Sequence, residues 1–100
     1  MWEFRDEILR RVKDFPVNSL YIVSRSGGVT TIRPGKEGEF RDWEMQNGCF
    51  RKYSLDPEEW DKGDEQKFLH IERAVSVMFY VKTNRNAKEM TVYPPRHLCV

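Results

Sequence analysis

The stretch Leu20-Tyr21-Ile22-Val23-Ser24-Arg25-Ser26-Gly27-Gly28-Val29-Thr30-Thr31-Ile32-Arg33 decides the fold. Two runs rich in β-branched and aromatic residues flank a Gly-Gly pair, the sequence form of a β-hairpin closed by a two-residue turn. A turn of that length sets Val23 opposite Ile32 and Ser24 opposite Thr31. Leu20 and Ile22 then share one face, with Tyr21, Val23 and Ile32 on the other. The first strand is apolar on both sides, as strands covered on both faces are.

Upstream, Phe4, Ile8, Leu9, Val12 and Phe15 recur at spacings of three and four and line one side of a helix over Glu3 to Phe15. Asp6 and Glu7 near its start and Arg10, Arg11 and Lys13 near its end suit the helix dipole, although Asp14 does not. Pro16 ends it. Downstream, Val75 to Val81 reads as a second two-sided strand, with Val75, Val77, Phe79 and Val81 on one face and Met78 and Tyr80 on the other. Thr83 to Ala87 makes a turn and Glu89 to Tyr93 returns, until Pro94-Pro95 ends the pairing.

Between the hairpins the signals thin out. Pro34 to Gly38 reads as a turn or loop, and Phe40, Trp43 and Met45 in residues 39–49 fit no single period. Phe50 to Leu55 suits a short strand. Asp56-Pro57-Glu58-Glu59 is a helix start, with Asp as cap and Pro in first position, and Gly63 is expected to limit that helix. Residues 66–72 suit helix or strand and are read as helix. These readings predict an α+β fold: an N-terminal amphipathic helix packed on a mostly antiparallel sheet of β-hairpins, with a second short helix. One domain over residues 1–100 is expected, its second sheet face closed by the Trp43 and Trp60 region or by another chain.

Composition narrows the classes. An apolar share of 39%, including 13 aromatic residues, supports a packed core and excludes the disorder signature. The longest apolar run, Ala74 to Val81 broken by Ser76, falls far short of the ~20 residues a membrane helix needs. The charged N-terminus lacks the order of a secretory signal, so a cytoplasmic or intracellular viral setting is expected. Cys49 and Cys99 are read as reduced thiols, because two cysteines do not make a disulfide-dense secreted framework. Their order with His70 and His97 lacks zinc-finger spacing, and no cofactor is expected.

The net charge of +1 conceals segregation. Residues 1–36 carry seven Lys/Arg against four Asp/Glu, residues 37–72 five against eleven, and residues 73–100 five against one, giving +3, −6 and +4. The basic set is Arg25, Arg33, Lys36, Lys82, Arg85, Lys88 and Arg96, on and around the two hairpins. With both turns at one end of a shared sheet, Arg25 and Arg85 would converge, with Tyr21, Tyr80 and Tyr93 as stacking surfaces for nucleic acid. The acidic set, Glu58, Glu59, Asp61, Asp64 and Glu65, reads as a solvated helix start, or as a surface complementary to a basic partner. It lacks the ligand spacing of a calcium loop. Ser24 to Gly28 lacks the order of a phosphate loop.

A nucleophilic site would have to pair Cys49 or Cys99 with His70 or His97, and no catalytic motif supports it. The expected function is a non-enzymatic protein–protein interaction module, a regulator or inhibitor of a larger protein, with a homodimer among its assemblies. A nucleic-acid-binding domain is the alternative, and a small hydrolase stands third.

Overall fold

The computed structural model describes residues 3–47, 49–74, 76–84 and 88–99. Strands β1 (Leu20–Ser26) and β2 (Val29–Pro34) form the first hairpin, and β4 (Ser76–Thr83) and β5 (Glu89–Tyr93) the second. With β3 (Arg51–Ser54) they build one antiparallel sheet in the order β2-β1-β4-β5-β3. Helices α1 (Glu3–Val12), α2 (Glu37–Asn47) and α3 (Lys62–Glu72) complete the α+β architecture. The β1–β2 register pairs Val23 with Ile32 and Ser24 with Thr31, as the two-residue turn requires. Gly27 and Gly28 both hold positive φ, 57° and 82°, the conformation that demands glycine in such a turn.

One sheet face carries the core. Phe4, Ile8, Leu9 and Val12 of α1 and Phe68 and Ile71 of α3 pack on Val23, Tyr53, Val77, Phe79, Val81, Met90 and Val92. Phe4 meets Phe79 edge-on at 5.9 Å and Phe68 at 6.0 Å. The other face is crossed by α2, which carries the chain from the β2 edge to the β3 edge. Phe40 and Trp43 rest on Tyr80 at 5.5 and 5.2 Å, and the Trp43 indole donates to the Tyr93 carbonyl at 3.2 Å. The two-sided pattern of β1 and β4 is thereby explained from within the chain. Trp60 lies on the α1 side instead, against Tyr53 and Phe68, so of the two tryptophans it is Trp43, with Phe40, that covers the second face.

Several expectations need correction. Helix α1 ends at Val12 rather than Phe15, in a turn where the Asp14 and Phe15 amides donate to Arg11 and Val12. Residues 37–47 form a regular helix whose apolar stripe is too narrow to register as periodic. Asp56 does cap, accepting from the Glu58 amide, but the turn it opens is a three-residue 3₁₀ turn. The α-helix starts afresh at Asp61, which exchanges capping bonds with Asp64, so Gly63 sits inside the first turn of α3 and stops nothing. Residues 66–72 are helical.

The cysteines are not free thiols: Cys49 and Cys99 form a disulfide with Cα atoms 6.1 Å apart. The cause is topological. Arg51 pairs with Val92, so the segments leading into β3 and out of β5 meet, which a separation of 50 residues does not reveal. Trp2 and Val75, and the turn residues Arg85, Asn86 and Ala87, lie outside the described residues.

Candidate protein-binding face

The hairpins share a sheet, but their turns lie at opposite ends. Because β1 and β4 pair antiparallel, Ser26 stands beside Ser76 and Leu20 beside Lys82, so the β1–β2 turn adjoins the start of β4 and not its end. Arg25 is therefore remote from the end of β4 at Thr83, and the expected convergence with Arg85 falls on a residue outside those described. Arg25 is also engaged, donating to the Glu72 carbonyl at 3.0 Å with its guanidinium 4.8 Å from the Phe4 ring centre. Arg33 pairs with Glu39 at 3.5 Å. Lys36, Lys82, Lys88 and Arg96 are exposed.

The stacking surfaces are occupied as well. Tyr21 lies flat on Phe15 at 3.6 Å, and Phe40 covers both Tyr80 and Tyr93. Of the basic set, Lys82 belongs to a short row. Lys82 and Lys52 flank Thr91 across three adjacent strands on the α2 side of the sheet, and neither has an ion-pair partner among the described residues. The sequence reading missed Lys52, whose place becomes legible only when β3 is known to pair with β5.

The acidic set is largely absorbed by local structure. Asp61 accepts from the Asp64 amide at 2.7 Å, Asp64 accepts from Arg51 at 2.8 Å, and Glu59 accepts from the Ser54 hydroxyl at 2.8 Å. These carboxylates hold the start of α3 to β3, leaving Glu58 exposed and Glu65 half-buried.

Beside the disulfide lies a cavity of about 130 Å³, lined by Arg51, Tyr53, Lys67, Leu98 and the two cysteines. That is smaller than the roughly 300 Å³ from which small-molecule sites begin, while more open clefts of about 490 Å³ beside Leu55 and Lys88 and about 310 Å³ beside Leu20 and Phe40 reach that size. Burial pushes the Tyr53 phenol up to about 12, with Arg51 opposing and Asp64 reinforcing the shift, so the phenol stays protonated at physiological pH. With both sulfurs in the disulfide, neither cysteine offers a thiolate to His70 or His97 for nucleophilic chemistry or metal binding.

The least expected feature lies on the α2 side of the sheet, at the end that α2 leaves open. Thr31, Ser24 and Met78 form one cross-strand row, and Val29 and Ser26 lie in the next. Val29 is 64% exposed and Met78 40%, Ser26 and Thr31 are exposed, and Ser24 is half-buried. None of these five residues is charged, in a chain where 33% of residues are. The sequence carries half the signal, in the alternation of the hairpin; the other half, Met78 beside Ser24, needs the β1–β4 register. No protein-family model, no curated protein and no solved structure matches this chain.

Proposed function

We propose that the chain is a non-enzymatic protein-binding module that presents Ser24, Ser26, Val29, Thr31 and Met78 to another protein, acting as a regulator or inhibitor of it. The carrying observation is the missing charge. Solvated sheet faces gather Lys and Glu, whereas the centres of protein interfaces are depleted of them and enriched in apolar residues such as Met. A flat neutral surface also offers nothing to a polyanion. The nucleic-acid alternative rests on the Lys52–Thr91–Lys82 row and the exposed Lys36, Lys88 and Arg96, and the −6 charge of residues 37–72 on the same small body opposes a polyanion.

The compartment enters here too. A cytoplasmic setting would keep thiols reduced, whereas disulfides persist in oxidising ones. The Cys49–Cys99 pairing favours an oxidising setting, and trapping thiols in the native host with a maleimide decides it: an unmodified chain supports that setting, a doubly modified one the cytoplasm. For binding itself, the test is capture of a discrete protein from host extract. Ser24→Lys or Met78→Lys is expected to abolish capture with the melt unchanged, while Lys52→Glu and nuclease treatment leave it intact. Capture that depends on Lys52 or on nucleic acid would hand the lead to the alternative.

A further inference from the structure

The two edges of the sheet are finished differently. In β3, the Leu55 amide bonds the Lys88 carbonyl, which fixes the odd-numbered residues as those facing β5 and turns the backbone of Lys52 and Ser54 outward. The outward Ser54 carbonyl is taken by the Trp60 indole at 2.7 Å, and the strand is only four residues long. That edge is short and capped at one end.

The β2 edge is not. The Gly35 amide bonds the Leu20 carbonyl at 2.9 Å, so the odd-numbered residues of β2 face β1 and the backbone of Thr30 and Ile32 points outward. Among the described residues, the outward amides of Thr30 and Ile32 have no acceptor beyond the sheet, and of their two carbonyls only that of Thr30 is touched, by Arg11 at 3.4 Å. The edge run Val29-Thr30-Thr31-Ile32, in which Val29 and Thr31 are exposed and Thr30 and Ile32 half-buried, is β-branched throughout and uncharged, with Pro34 confined to its end.

We propose that a second copy of this chain adds to the β2 edge, antiparallel, about a two-fold axis through Thr31. In that register Thr30 pairs with Ile32 of the other copy in both directions, so each outward amide finds an outward carbonyl. Thr31 faces Thr31, and Arg33 faces Val29 rather than another charge. The axis is perpendicular to the sheet, so the product is a continuous ten-stranded sheet in which the neutral patches of the two copies lie side by side. Strand pairing of this length buries less than a standard interface, and association is correspondingly weak.

Sedimentation across about 10 µM to 1 mM reads it, a window that spans weak dimers. The weight-average mass is expected to rise from 12.0 kDa toward twice that value. Thr30→Pro, which removes an outward donor and leaves the β1 ladder whole, is expected to hold the chain monomeric with its melt unchanged. Thr31→Lys sets like charges together at the axis and gives a second, independent loss. Amide exchange at Thr30 and Ile32 should slow with concentration, while exchange at Thr31 and Arg33 does not respond. A mass fixed at that of the monomer overturns the proposal, as does a dimer that survives both substitutions. A dimer lost instead on Met78→Lys overturns the edge yet leaves the neutral patch as a protein-binding surface, so the two readings fail separately.

Discussion

Single side chains set the sharpest expectations. Tyr53 is 2% exposed, and its phenol titrates near 12 against 10 in the unfolded chain. A raised folded value means that its contribution to stability is whole below pH 10 and is lost as pH climbs to about 12. The loss is on the order of 2 to 3 kcal/mol. Absorbance titration at the phenolate band should show a component near 12 that vanishes in Tyr53→Phe. The disulfide makes a second expectation. Closing a loop of 50 residues stabilises by about 4 kcal/mol in the chain-entropy treatment, so a reductant should lower the melting temperature by roughly 15 to 30 °C. An unchanged melt would return the cysteines to the reduced state that the sequence suggests. Thr83 is a third anchor, hidden from sequence: its hydroxyl donates to the Pro16 carbonyl at 2.7 Å and accepts from the Ser19 amide, fastening the chain between α1 and β1 to the end of β4.

At the level of elements, legibility followed the width of the buried stripe. Helix α1 buries four residues at spacings of one, three and four, and that pattern is plain in the sequence. The first hairpin is as plain, because its Gly-Gly turn fixes register, and alternation fixes the faces of β4. Helix α2 rests on the sheet through Phe40 and Trp43, three residues apart, and two positions cannot establish a period. The same contrast predicts two kinds of mutant. Ile8→Asp or Val12→Asp places a charge at positions no more than 1% exposed and should cost at least about 4 kcal/mol, seen as loss of the cooperative melt. Trp43→Ala removes a half-buried ring and its bond to the Tyr93 carbonyl, and should cost about 2 to 4 kcal/mol in urea while the α1 side stays packed.

On the scale of the whole molecule, the candidate site was the part least available beforehand, for a topological reason. Basic residues on two hairpins share a surface only if the hairpins enter the sheet the same way round, and the antiparallel β1–β4 pairing sets Ser26 beside Ser76 and Leu20 beside Lys82. It also seats Met78 beside Ser24, building a neutral surface from residues with no individual signal. Wild type should bind generic oligonucleotides no better than the roughly 10⁻⁴ to 10⁻⁶ M of non-specific contact at physiological salt. Fluorescence anisotropy over a salt series checks this, and sub-micromolar, salt-steep binding would contradict it. The most direct measurement places a photo-crosslinking residue at position 78 in the native host. The account predicts a discrete protein adduct that disappears when Ser24→Lys is added to the same chain. An adduct to nucleic acid, or a protein adduct indifferent to Ser24→Lys, would contradict it.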